Sequence, residues 1–339
     1  MKVWKVSHEG VINLEDLGPS QVRKDCVKIK MLSTALTSTE KLAYQDKLEG
    51  CDLPIVIGRN GAGMVSEVDA SVTNFKRGDR VYVSSEVPCG ECYFCKSGRS
   101  HLCSYTQTYG KDVDGLMSDF AIVNTDSLYL LPDRVGVEEA VFIEKIALAI
   151  NTINTLNVDR GDHLVILGAS VFGLILAQVA LYYQAVPILV DNRPERLALA
   201  EQRDIYYSIN SSKEDVYKRV LAITGGKMAS RVAFDLEGKS VQFDSVLSLV
   251  AKGGKVAFAG IDAETNKVEL DVKQAIDKNA SIFGINKTNE NISSAINMLA
   301  NKQVDVTTLM QIIDFEEVKE YVEKLTHSND FLQIVVKLK

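Results

Sequence analysis

Four cysteines fall within fifteen residues. In "CGECYFCKSGRSHLC", Cys89, Cys92, Cys95 and Cys103 are separated by two, two and seven residues. Four thiolates on one loop fit a tetrahedral, all-cysteine zinc site. An iron–sulfur run opens the same way, but its next gap is three residues and a proline follows. Here the gap is seven and Ser104 follows. A nucleic-acid zinc ribbon has two separated cysteine pairs, and a net charge of −7 with mixed acids and bases offers no basic face to a phosphate backbone. A closed four-thiolate site keeps no open coordination position, so its expected role is structural. His101 lies inside the loop, but the fourth cysteine already completes the ligand set, and the histidine is expected at the surface.

A second chemical feature is "GASVFG", Gly168 to Gly173. A dinucleotide fingerprint places three glycines at this spacing, between a strand and a helix. The first and third are present, and Ser170 stands where the middle glycine would let the backbone approach a pyrophosphate. Ser170, Val171 and Phe172 complete the turn. The next apolar strand ends at Asp191, followed by Asn192. An acid at this offset accepts a hydrogen bond from a ribose 2′-hydroxyl and repels a 2′-phosphate. NAD is therefore favoured over NADP, although Arg193 nearby works against that preference. A doubly wound domain that binds no nucleotide is the structural alternative.

These groups need elements to hold them. The 339 residues are enough for two domains, and 46% hydrophobic with 24% charged residues is ordinary for a globular protein. The first 140 or so residues read as β-rich, with short alternating runs such as "CVKIKMLS", "GMVSEVD" and "DRVYVSS" between turn signals. From His163, apolar strands alternate with helical segments, as in "HLVILGA", "VPILVDN", "SRVAFDLEG", "GKVAFAGI" and "ASIFGIN". That alternation predicts a parallel sheet with helices on both faces. One of the expected helices is "VQFDSVLSLVAK". The tail reads as two helices and a last strand. Leu164 to Val190 carries no charge, but Gly168, Gly173 and Pro187 cut it into strand, helix and strand rather than a membrane span. The start lacks a secretory apolar core, and six sparse cysteines suit a reducing compartment. A cytoplasmic protein with no membrane or nucleic-acid partner is the expectation.

The two features, in this order, make the chain resemble the zinc-containing medium-chain alcohol and polyol dehydrogenases. "NFKRGDRVYVSSEVPCGECYFCKSGRSHLC" is similar to that family's strand and zinc lobe. "VFIEKIALAINTI" is similar to the segment leading into its coenzyme domain, and "VILGASVFG" and "VDNRPERLALA" to its nucleotide region. The resemblance implies an α/β fold. A GroES-like β-rich catalytic domain (1–146) is followed by a Rossmann domain with a doubly wound parallel sheet (147–286) and a C-terminal segment completing the first domain (287–339). It also implies a homodimer or homotetramer, one structural zinc, an NAD(P) cofactor and a small-molecule substrate. Arg196, near the adenine, and Gly260, by the coenzyme cleft, are carried by the resemblance alone.

The same resemblance makes "PIVIGRNGAG", 54–63, conspicuous. The family holds a catalytic zinc with a Cys, a His and, in the polyol branch, a Glu. Here Thr37 stands for the Cys, Arg59 for the His and Asn60 for the Glu beside it, while Glu144 remains and Lys145 replaces the following Pro. Arginine has no lone pair to give a metal, so no catalytic zinc is expected and an Arg59–Glu144 ion pair is expected in its place. Three readings follow: an oxidoreductase in which Arg59, Thr37 or Thr39 serves a carbonyl, a conjugated C=C or an iminium, with Tyr44 a further candidate; a dinucleotide-binding sensor or partner subunit; and an interaction module built on the zinc lobe. Cys26 and Trp4 are read as core.

Overall fold

The structure, a computed structural model, describes residues 1–18, 21–237, 243–260, 270–286, 289–327 and 332–339. The chain forms two compact units. One comprises Met1–Glu144 with Leu309–Lys339, and the other Lys145–Thr308.

The first unit is built on the long strand Cys26–Leu36. Val27, Ile29 and Met31 point inward and are fully buried, the two-residue period of a strand with one wet face. Cys26, expected in the core, is only half-buried, because it starts the strand out of phase with that inward set. The strand's first half pairs with Phe120–Asn124 and its second half with Gln333–Lys337, while Gly61–Val68 runs along the opposite edge. Two of the three glycines of the conspicuous loop, Gly61 and Gly63, belong to this last pairing. A Cβ at Gly61 would lie 2.2 Å from the Ser33 carbonyl oxygen, and one at Gly63 2.4 Å from that of Lys30. No side chain fits there, so these glycines serve close strand contact rather than a flexible turn. A smaller sheet orders Val11–Asp16, Lys2–Ser7 and Ile55–Val56. Trp4 is core as expected, and its indole N–H donates to the Phe315 carbonyl at 2.7 Å.

The second unit has a six-stranded parallel sheet. Its order is Tyr207–Asn210, Val186–Asp191, His163–Leu167, Ala229–Asp235, Val250–Ala259 and Ser281–Ile285. Chain order reverses beside His163–Leu167, which is where ligands bind in doubly wound sheets. The uncharged run resolves into strand, helix Val171–Tyr182 and strand. Among the described residues no helix is long and apolar enough to cross a membrane.

Three expectations about elements need correction. Of the helix expected over "VQFDSVLSLVAK", residues 241–242 lie outside the described residues, and the rest is instead a 3-10 segment, Phe243–Leu249, running into the strand at Val250. Lys278 Nζ takes the carbonyls of Leu247, Ser248 and Val250 at 2.6, 3.1 and 2.8 Å, which satisfies acceptors that a continuing helix would have used. The tail has an additional strand, Met310–Asp314, parallel to Gln333–Lys337. The chain returns to the first unit at Leu309 rather than at 287, so helix Ile292–Ala300 belongs with the nucleotide unit.

Candidate functional site

The cysteine loop is bracketed by the paired strands Glu86–Val87 and Gln107–Thr108. Cys89 and Cys103 Sγ lie 3.5 Å apart, Cys92 and Cys95 3.5 Å, and Cys89 and Cys95 3.9 Å. All four sulfurs fall within 4.8 Å of one another. A tetrahedron with a Zn–S bond of about 2.3 Å has edges of about 3.8 Å, so the donor set fits a four-coordinate zinc. Burial opposes charge on Cys103, but amides of Cys89 and Tyr105 outweigh it and lower the thiol to about 6. Burial and the neighbouring thiols push Cys95 up to about 12. Arg99 stacks its guanidinium over Tyr93 and Phe94 at 5.4 and 5.5 Å.

Next to this unit's core, Thr37 caps the helix Ser38–Tyr44. Its hydroxyl accepts from Thr39 N at 3.2 Å and donates to Glu40 Oε2 at 2.7 Å, while Thr37 N donates to the same oxygen at 2.6 Å. This capping box uses up the Thr37 side chain. Thr39 is buried and accepts Arg59 Nη1 at 3.1 Å. The expected Arg59–Glu144 pair is absent among the described residues. Glu144 instead accepts Ser85 N at 2.6 Å and Ser84 Oγ at 3.4 Å, so its charge is met by a backbone amide without the arginine. Asn60 is buried and donates to Tyr82 Oη at 3.2 Å and to the Val141 carbonyl at 3.1 Å. Tyr44 packs half-buried against the hydrophobic core of the unit.

Glu40 escaped the reading of the sequence. It is 1% exposed, and burial raises its carboxyl against the hydrogen bonds of Thr37 and the charge of Arg59. Two buried atoms here have no hydrogen-bond partner, Glu40 Oε1 and Arg59 Nε. The signal available was position: Glu40 stands three residues after Thr37, the capping-box spacing.

In the other unit, the turn after His163–Leu167 is tightly built. A Cβ on Gly173 would lie 2.2 Å from the Gly168 carbonyl oxygen and 2.7 Å from Asp235 Oδ2. Only a glycine allows that approach of helix to strand, as the dinucleotide fingerprint requires. Ser170 caps the helix, its hydroxyl accepting Phe172 N at 3.0 Å and Gly173 N at 3.4 Å. The Val171 and Phe172 side chains are buried, so they offer only backbone. Asn192 is exposed, Gly260 ends the strand Val250–Ala259 at φ +107°, and Arg196 is 5% exposed on the helix Pro194–Glu201 rather than open to a ligand. Asp235, unforeseen from the sequence, is fully buried under the turn and accepts Ser170 N at 3.1 Å and Gly173 N at 3.2 Å. Burial, then the Glu237 charge, pushes its carboxyl to about 7. Lys145 holds Glu237 at 2.8 Å. The glycine cradle and the acid-ended strand fit a bound dinucleotide.

Comparison with known proteins agrees with both units. Residues 23–133 match the alcohol dehydrogenase GroES-like domain, and 172–301 match the zinc-binding dehydrogenase family. The chain is 31% identical over 267 residues to the L-threonine 3-dehydrogenase of Pyrococcus furiosus, covering 76% of this chain and 75% of that protein. It is 29% identical to the sorbitol dehydrogenase of Bacillus subtilis over 343 residues, 99% of this chain and 97% of the other. A zinc-binding dehydrogenase from Sinorhizobium meliloti, solved bound to NADP, superposes with a TM-score of 0.89 at 20% identity over 99% of each chain. With its GroES-like domain and its Rossmann sheet, the chain belongs to the zinc-binding medium-chain dehydrogenases and is an NAD(P)-dependent dehydrogenase.

Proposed function

We propose that this dehydrogenase works with one structural zinc, at Cys89, Cys92, Cys95 and Cys103, and with Arg59 in place of a catalytic metal. The substrate is a small molecule with a carbonyl, alcohol or conjugated carbonyl oxygen. The observation that carries the reading is Arg59 itself. Its Nη1 is fixed on Thr39 at 3.1 Å, and its buried Nε has no hydrogen-bond partner. A buried donor left unpaired costs about 1–3 kcal/mol, which an incoming oxygen acceptor would relieve. Because Thr39 Oγ1 already accepts from Arg59, its own hydrogen is left to donate. The pair thus supplies two donors and a permanent cation where negative charge develops on the substrate oxygen.

A bound dinucleotide would supply or accept the hydride. Gly168, Ser170 and Gly173 would shape its phosphate turn, and Thr39 would hydrogen-bond the substrate oxygen, whose proton comes from or returns to solvent. Lost Cys and His ligands support a metal-free centre, since neither Thr37 nor Arg59 offers zinc a suitable donor. A second copy of this chain is the expected partner. The edge strand Ser281–Ile285 carries no charge, and Val272 and Ile276 are 61% and 72% exposed on the neighbouring helix.

The test is metal content of chelator-washed protein beside turnover with NADH and NADPH on ketones, enones and alcohols. One zinc per chain is expected, with Arg59→Ala lowering kcat about 100-fold or more, the cost of one oxyanion donor. Two zincs per chain, or an Arg59→Ala variant that turns over normally, would sink the reading. Tight dinucleotide binding with no turnover on any substrate would favour the sensor instead.

A further inference from the structure

The Arg59 side chain is held at one corner and open along one edge. Its Nη1 donates to Thr39 Oγ1 at 3.1 Å. Among the described residues Thr39 is its only hydrogen-bond partner, and its buried Nε has none. Nε and Nη2 form one edge of the planar guanidinium, an edge that can grip two oxygens side by side. Arg193 uses that edge on Asp191 in the other unit, with Nε and Nη2 each 2.9 Å from a carboxylate oxygen. On Arg59 no acceptor among the described residues meets it. The Thr39 contact at Nη1 meanwhile fixes the plane of the fork.

The charge is unmatched as well. Glu144 accepts from Ser85 N and Ser84 Oγ rather than from Arg59. Glu40 feels the cation, but burial raises its carboxyl, and its Oε2 is taken by the Thr37 amide and hydroxyl. A partly buried cation without a salt bridge favours an arriving anion. In the reading of the preceding section, Nε and the Thr39 hydroxyl hydrogen meet the reacting oxygen. Nη2 then remains for a second oxygen directly beside it. A 2-oxo acid carries such a pair, a keto oxygen and a carboxylate oxygen on adjacent carbons. A phosphate ester sets its anionic oxygens at least two atoms further from the carbonyl and cannot place both on one fork.

We propose that Arg59 binds the carboxylate of the substrate, which is a 2-oxo acid or the matching 2-hydroxy acid. The keto oxygen takes Nε and the Thr39 hydroxyl, and one carboxylate oxygen takes Nη2. Reduction adds a hydride at the keto carbon and a solvent proton at its oxygen, consuming one NADH or NADPH. Oxidation of the 2-hydroxy acid is the reverse. This rests on the assignment of Arg59 in the preceding section and names the substrate class for it. A free acid brings Arg59 the counter-ion that a methyl ester or a simple ketone lacks.

Initial rates of the wild-type protein with NADH and NADPH on matched compounds test this. The set is 2-oxobutanoate, its methyl ester, butanone and dihydroxyacetone phosphate. The expected kcat/KM for the acid is about tenfold or more above that of the ester and the ketone, as a charge-assisted pair of hydrogen bonds requires. That comparison needs no variant. In Arg59→Gln, shown to be folded by circular dichroism, the ratio of acid to ester should fall toward one. Calorimetry should show oxalate, which cannot be reduced, binding about tenfold or more weaker to that variant than to wild type. An ester or ketone turned over as well as the acid would overturn the proposal and leave Arg59 as the group that meets the reacting oxygen. So would a preference for dihydroxyacetone phosphate over the acid. A folded Arg59→Gln variant that keeps the full preference for the acid would overturn it too. If the wild-type protein turns over no carbonyl compound at all, the reading of the preceding section falls and takes this proposal with it.

Discussion

Replacing Asp235 by asparagine should make the protein relatively more stable above neutral pH and change little in mild acid. Asp235 is fully buried beneath the nucleotide turn, accepting Ser170 N and Gly173 N through Oδ2 and Glu237 N through Oδ1 at 3.0 Å. Glu237 faces it from the same segment, itself neutralised by Lys145, and Asp191 and Arg193 lie across the turn at Ala169. Burial and then Glu237 raise the carboxyl from 3.8 to about 7. Below about pH 4 the group is protonated in both the folded and the unfolded chain, and its contribution to stability is complete. Between about 4 and about 7 the unfolded chain releases the proton and the folded chain keeps it, so stability is lost as pH rises. Above about 7 the loss is constant, on the order of 4 kcal/mol for a displacement of this size. Asparagine has nothing to release. Urea unfolding of both proteins at intervals from about pH 5 to about pH 8 reads Asp235 together with its neighbour Glu237, because the titrations away from that pair are shared. Wild type minus variant should fall by a few kcal/mol across that window. A flat difference would refute the reasoning, and a rising one would mean that the three amides, not burial, set the charge of Asp235.

Two further outcomes are expected. Gly173→Ala must displace the helix start, because its Cβ would meet the Gly168 oxygen at 2.2 Å. NADH binding followed by fluorescence should weaken at least about tenfold, or about 1.4 kcal/mol, while Gly284→Ala, with nothing within 4 Å, should leave it unchanged. Light scattering should find a dimer, and Ile282→Lys, placing a charge on the Ser281–Ile285 edge, should shift it toward monomer.

The convergence of the four cysteines was legible in the sequence, because gathering four thiols on one loop is a matter of spacing alone. The nucleotide turn was legible for a similar reason: strand, turn, helix and second strand are contiguous, and each carries its own hydrophobic period. The groups beneath and beside these motifs were not. Asp235 reaches the turn from a strand more than sixty residues later, and nothing local marks a buried acid in "VAFDLEG". Arg59 was singled out as a side chain with no lone pair for a metal, but its hydrogen-bond partner Thr39 was not identified. Sequence names the candidates for pairing, whereas side-chain reach and the competing Ser85 amide decide among them. Thr37 and Glu40 show the same limit in reverse: a local capping box takes a hydroxyl that seemed available for chemistry. The strand Met310–Asp314 was lost because its partner, Gln333–Lys337, lies beyond an intervening helix.

That last pairing has a consequence for synthesis. Gln333–Lys337 lies between Cys26–Leu36 and Met310–Asp314, and the Trp4 indole waits on the carbonyl of Phe315. The first unit therefore cannot close until residues 333–337 have left the ribosome. The unit 145–308 is contiguous and has its partners in hand earlier. The β-rich part is begun before that unit and finished after it, and for that interval half of its longest strand has an open edge. A nascent chain stalled before residue 333 is thus the form most exposed to misassembly and most in need of a chaperone.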